Sequence, residues 1–179
     1  MTARIRDFIS RGAMPLVGRE REMRTLHDAF ASLLEGESRS VWLSGIPGSG
    51  KSRLLDELRL HAREGASRAL VLHAKWYEGE GMELGPLGNA LEVLRPALTA
   101  SVASRVFRDG SIATVETAIE ALQIASRRYP IVLVLDDLHY LQSSRELERF
   151  IDALEEITLL VIATTRPSDN QALRSLRTA

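Results

Sequence analysis

Apolar positions along this chain change their spacing repeatedly, and each change marks an element. From Arg19 onward, Met23, Leu26, Phe30, Leu33 and Leu34 recur at the three- and four-residue intervals of one helix face, and the turn-forming run EGES closes the segment. SVWLS, from Ser40, reads as a short buried strand. Helical spacing returns after Lys51, with Leu54, Leu55 and Leu58 on one side, and ALVLHAKW is a second strand. YEGEGMELGPLG is glycine-rich and reads as a loop, with a helix expected from Pro86 through Leu94 because proline suits a first helical turn. Ile112, Val115, Ile119 and Leu122 mark another helix. IVLVLDD is a continuous apolar run ending in two acids. Ser143 and Glu146 have capping-box spacing ahead of a helix with Leu147, Phe150, Ile151 and Leu154 inward, and TLLVIATT is the last strand.

Strands that are apolar on both faces and separated by helices require a parallel sheet covered on both sides. The expected fold is therefore α/β, a three-layer sandwich with a mainly parallel sheet. At 179 residues the chain is expected to form one core domain, residues 15–179, preceded by an arm over residues 1–14. The net charge of −1 gives no global pull towards nucleic acid or a membrane surface. Absence of cysteine excludes disulfides and thiolate metal sites and suits a reducing compartment. No apolar run reaches membrane-spanning length and the N-terminus lacks the apolar centre of a secretory signal, so a cytoplasmic protein is expected.

The residues between the first strand and the second helix narrow the chemistry. Gly45-Ile46-Pro47-Gly48-Ser49-Gly50-Lys51-Ser52 satisfies G-x-x-x-x-G-K-[ST] in full. Several backbone N–H groups must converge on a polyphosphate, which needs glycines where a Cβ would block the approach or forbid the dihedral. The helix starting at Lys51 adds the positive end of its dipole. Lys51 would reach the β- and γ-phosphates, the Ser52 hydroxyl would ligate Mg²⁺, and Arg53 adjoins the same phosphate-binding set. Such a match arises by chance in roughly half a per cent of chains this long, and the flanking strand and helix lower that further.

IVLVLDD supplies the second part. Asp136, at the carboxyl end of a buried strand, would face the crevice where α/β sheets bind ligands and would hold the Mg²⁺ shell. Asp137 can orient or deprotonate a water beside the γ-phosphate. The strand of IATTRP should lie between the other two, where Thr164 and Thr165 could bond the attacking water or the γ-phosphate and Arg166 could reach phosphate oxygens. Trp76, Tyr77, His139 and Tyr140 read as packing residues. His27, His61 and His73 show no metal-ligand spacing.

With these sites placed, the chain resembles the ATPase module of bacterial STAND-type signalling ATPases, within the AAA+-related P-loop class, and above all that of large ATP-binding LuxR-type transcriptional regulators. PLVGREREMRTL, GIPGSGKSRLLDEL, WYEGEGMELGPLGNAL, LVLDDLHYL and LLVIATTRP carry the resemblance in family order. It implies Walker A at Lys51 and Ser52, Walker B at Asp136 and Asp137, the first sensor at Arg166, and an adenine border along Val17-Gly18-Arg19. It also implies ATP or ADP with Mg²⁺, and an AAA+/ASCE-type sheet that stops after the sensor strand. Lid and effector domains are expected to be absent, leaving SVWLS at a sheet edge open to a protein partner or to self-association.

No arginine in the chain is defensible as a finger acting on a neighbouring subunit. The expected function is thus slow Mg²⁺-dependent ATP hydrolysis as a signalling or transcription-regulating switch, with no direct nucleic-acid binding by this segment. A nucleotide-binding interaction module with negligible turnover is the alternative, and a P-loop small-molecule kinase fits less well.

Overall fold

The computed structural model describes residues 18–64, 68–78, 85–108, 111–112, 114–140 and 145–167. Strands β1 (Arg39–Ser44), β2 (Leu70–Lys75), β5 (Ile131–Asp136) and β6 (Leu160–Thr165) form one parallel sheet in the order β1-β6-β5-β2. The strands β3 (Phe107–Arg108) and β4 (Ser111–Ile112) pair separately as a two-stranded antiparallel ribbon. Each pair of sheet strands is linked by helices, as a parallel connection requires.

Alternation along the strands assigns the helices to two layers. Val132, Val134, Leu160 and Ile162 meet α1 (Glu20–Leu34) and α2 (Lys51–Glu64), whose Leu26, Phe30, Leu33, Leu54, Leu55 and Leu58 are buried against them. Ile131, Leu133, Leu135 and Ala163 point the other way, into a larger core. That core is roofed by α3 (Gly85–Leu91), a 3₁₀ turn (Glu92–Ala97), α4 (Ala100–Val106), α5 (Val115–Ser126) and α6 (Arg145–Leu154). All six residues of β5, one of the two inner strands, are buried between helices on both faces. β1 is buried only in part and forms one end of the sheet, the position expected for SVWLS.

Local signals were mostly sufficient, with three differences. Ile112 lies in β4, and α5 begins at Val115, because Thr114 closes a reciprocal capping box with Thr117. The helix expected from Pro86 tightens into a 3₁₀ turn after Leu91, where Pro96 has no N–H to donate. Helix α4, N-capped by Thr99, had no expectation at all, since its small residues make no clear apolar stripe. The 1–14 arm, Pro15 to Val17, most of the YEGEGMEL loop, Ser143 and the NQALRSL segment lie outside the described residues. Among the described residues no helix is long and apolar enough to cross a membrane.

Candidate nucleotide site

The glycine-rich loop joins the end of β1 to the start of α2. Its first residue is tied to the sheet, Gly45 N–H donating to the Thr165 carbonyl at 3.2 Å, and Ser49 N–H closes a turn onto the Ile46 carbonyl at 3.2 Å. Gly48 and Gly50 hold φ of +75° and +88°, dihedrals that a side chain disfavours. A Cβ on Gly45 would lie 2.6 Å from Ser49 Oγ, so any side chain there would displace the Ser49 hydroxyl. Ser49 Oγ is buried without a hydrogen-bond partner among the described residues. Lys51 bends over the loop, its Nζ donating to the carbonyls of Gly45 at 2.7 Å and Ile46 at 3.2 Å. Pro47 and Ser52 are exposed, whereas Arg53 is ion-paired with Glu57 one turn along α2.

Arg19 reaches this loop from the start of α1. One guanidinium nitrogen donates to the Ser49 carbonyl at 2.9 Å and another to Glu22 Oε1 at 2.5 Å. Gly18, at φ +73°, donates its N–H to Glu20 Oε1 at 3.3 Å. Together they place the beginning of α1 beside the loop. Val17 falls outside the described residues.

The same alternation that builds the smaller core carries on into chemistry. Val132 and Val134 lead to Asp136, Leu160 and Ile162 lead to Thr164, and Val71 leads to His73 and Lys75, all in one phase. Register sets Lys75 opposite Asp136, Leu135 opposite Ala163 and Leu43 opposite Thr164. Asp136 is 2% exposed. It accepts from the Thr164 hydroxyl at 2.5 Å, and His73 Nε2 and Lys75 Nζ stand 3.3 and 3.5 Å from its other oxygen. Burial opposes its charge, but hydrogen bonds from His73 and Thr164 and the Lys75 ammonium outweigh it and hold the carboxyl at a pKa of about 2.

Asp137 turns off the strand at φ +59°, an uncommon dihedral for a residue with a Cβ. Its N–H donates to Thr164 Oγ1 at 2.9 Å and its carboxylate lies 3.3 Å from Lys75 Nζ. Burial works against the Lys75 ammonium, yet the hydrogen bond to Asp137 and the two carboxylate charges raise its pKa.

These bonds change the reading of the sensor strand. Thr164 is fully buried and its hydroxyl both donates to Asp136 and accepts from Asp137. It bridges the two acids, and these bonds engage its donor and one of its two acceptor sites. Thr165 is also buried, its hydroxyl donating to the Arg166 carbonyl at 3.0 Å. Arg166 reaches back to Tyr140, donating to its hydroxyl at 2.8 Å with the guanidinium carbon 5.2 Å from the ring centre. Tyr140 thus aims the arginine and does more than pack. The His139 ring lies against Tyr140, tilted by 41° with centres 4.0 Å apart, and burial, then the Arg166 charge, lowers its pKa. Trp76 is buried as expected, but Tyr77 is 53% exposed, with the Lys75 ammonium 5.7 Å from its ring centre.

His73 and Lys75 were missed as site residues. Their signal was the phase of β2, which ends level with Asp136 once register is known. Among the described residues no group of three or more His, Cys, Asp or Glu gathers as a metal cage. The Ser52 hydroxyl and the ionised Asp136 carboxylate are oxygen donors of the kind that Mg²⁺ takes beside nucleotide phosphates, so in chemistry these residues suit such an ion.

Comparison with known proteins follows the same lines. The sequence model described as AAA ATPase domain matches residues 15–162. A protein of Rhizobium meliloti (strain 1021), described as uncharacterised, is 27% identical over 192 residues, covering 86% of this chain. The chain spans 19% of the length of that relative. Among solved structures, Drosophila ORC bound to DNA superimposes with a TM-score of 0.54 at 18% identity, covering 90% of this chain and 41% of that one. At that identity the likeness is one of fold.

Proposed function

The chain belongs to the AAA ATPase domain family, and on that premise we propose that it is the nucleotide switch module of a bacterial signalling or transcription-regulating ATPase, binding ATP with Mg²⁺ and hydrolysing it slowly to ADP. Residues 15–179 are its core and residues 1–14 an arm. The observation that supports this reading is the phase of β5, which brings Asp136 to the sheet face covered by the helix of the phosphate loop, with Asp137 just past the strand end and bonded through its N–H to Thr164.

The N–H groups of Gly45, Gly48, Ser49 and Gly50 receive phosphate oxygens, and Lys51 exchanges the loop carbonyls for the β- and γ-phosphates. Gly18 and Arg19, with Val17, border the base. Ser52 and Asp136 would hold Mg²⁺, which when bound offsets negative charge on the β- and γ-phosphate oxygens. Asp136 needs no deprotonation to serve, since its network keeps it ionised. Asp137 orients the attacking water and accepts its proton, Thr164 keeps the two acids in register, and Arg166, steered by Tyr140, senses the γ-phosphate. Partners are a protein or further domains reading the bound state, or a second copy.

Denaturing the gently purified protein and counting the released nucleotide tests binding, with Lys51→Ala alongside. Phosphate release from added ATP tests turnover. Near-stoichiometric ADP lost in the variant supports the switch; an empty protein that fails to take up Mg²⁺·ATP refutes it. One contact favours the binding-only alternative: Lys75 engages the Asp137 carboxylate at 3.3 Å. Retained ATP that is never cleaved would decide for it.

A further inference from the structure

Away from the crevice, a cavity of about 420 Å³ opens beside the outer edge of β2, between α2 and α3. Its polar lining is one-sided. Arg59, Arg63, His73 and Asn89 border it, no carboxylate does among the described residues, and Val71 and Val93 supply apolar wall. Arg59 and Arg63 stand one turn apart on α2, a like-charge pair that destabilises a helix when no anion lies between. Arg63 is exposed and has no acidic partner among the described residues. Among the described residues Arg59 has one carboxylate near it, that of Asp56, at 3.9 Å. Its guanidinium turns instead to His73, with Nη1 3.4 Å from Nδ1. A donor there makes Nδ1 the acceptor and leaves Nε2–H to face Asp136. The volume falls in the range of small-molecule sites.

We propose that this pocket binds a small organic anion, a phosphate or carboxylate on an apolar body, with Arg59 and Arg63 holding the charge and Val71 and Val93 the body. An anion there draws on the same guanidinium that orients His73, so its occupancy is felt at Asp136. Anion and Mg²⁺·nucleotide are then coupled, each altering the affinity of the other by the same factor. That coupling rests on the role given above to Asp136; the pocket itself does not.

The test titrates phenyl phosphate, benzoate and inorganic phosphate into the full chain, both saturated with Mg²⁺·ADP and as the nucleotide-free Lys51→Ala variant, following backbone amide signals by NMR. Saturable shifts at residues 59–63 and at Val71 and His73 are expected with phenyl phosphate or benzoate, and whichever binds tighter names the anionic group. Inorganic phosphate should bind at least about tenfold more weakly, lacking the apolar body. The double variant R59Q/R63Q should lose at least about tenfold in affinity while R63Q alone leaves ADP binding unchanged. Absence of saturable shifts, shifts undiminished in the double variant, or inorganic phosphate binding as tightly as both organic anions would overturn the pocket. Saturating phenyl phosphate or benzoate should change Mg²⁺·ADP affinity by about fivefold or more in the wild type and not in R59Q/R63Q. An unchanged affinity would overturn the coupling and leave the titration to judge the pocket alone.

Discussion

The two faces of strand β5 are built by one rule and serve different ends. Ile131, Leu133 and Leu135 face the helices from α3 to α6 and are followed by buried Leu138. Val132 and Val134 face α1 and α2, and the next residue in that phase is Asp136. One face continues as core beyond the strand end, while the other turns polar at the rim where the phosphate loop lies. A change on the first should therefore cost stability, and a change at the tip of the second should cost chemistry.

The sharpest separation should come from Asp137→Asn. It keeps size and the backbone bond to Thr164 but removes the proton acceptor. ATP hydrolysis should fall by about 10²–10⁴, with Mg²⁺·ATP affinity and melting temperature nearly unchanged. An equal loss of affinity would mean Asp137 acts in binding, and the division between the faces would blur. The opposite case is Phe150→Ala on α6, a fully buried side chain in the larger core. It should lower unfolding free energy by about 3–5 kcal/mol, read by urea denaturation, while the fraction still folded binds nucleotide normally.

Acid should then weaken one tip in particular. The folded-state pKa of Asp136 is about 2, below the ordinary aspartate value of 3.8. Its contribution is thus fully present above pH 4 and is lost as pH falls from about 4 towards 2, amounting to about 2 kcal/mol. Other acids with lowered pKa, such as Glu22, Glu92 and Glu116, act in the same direction. The difference between wild type and Asp136→Asn, measured by urea unfolding at pH 5 and pH 3, isolates this part. Parallel pH profiles would show that the buried network does not hold the charge.

How much of this was legible in the sequence depended on distance along the chain. The glycine-rich loop is eight consecutive residues, so its place between β1 and α2 could be read without a fold. Asp136 and Asp137 were legible because a buried run ending in acids fixes both strand and rim. The order that seats β6 between β1 and β5 was also expected. Lys75 and His73 were not, since their meaning depends on which strand lies beside β2 and in what register. Thr164 was singled out on the right strand, but its bonds to both acids were not legible, since only the cross-strand distances show them. The aim of Arg166 was hidden for the same reason, because Tyr140 lies 26 positions away.

The smallest effect tests the Thr164 bridge. Thr164→Val preserves shape but leaves Asp136 Oδ1 and the Asp137 N–H without their shared partner in a buried place. Loss of the hydroxyl should cost about 1–3 kcal/mol of stability. If Thr164 only positions the acids, Thr164→Ser should restore both stability and turnover, because serine keeps one donor and one acceptor at that position. The ATP-hydrolysis rate of the valine variant should recover partly as Mg²⁺ is raised, since a displaced Asp136 weakens the hold on the ion before it harms the chemical step. A valine variant of full stability that is inactive at every Mg²⁺ concentration would return Thr164 to direct contact with water or phosphate. It would also mean that the rim of β6 differs less from the rim of β5 than their hydrogen bonds indicate.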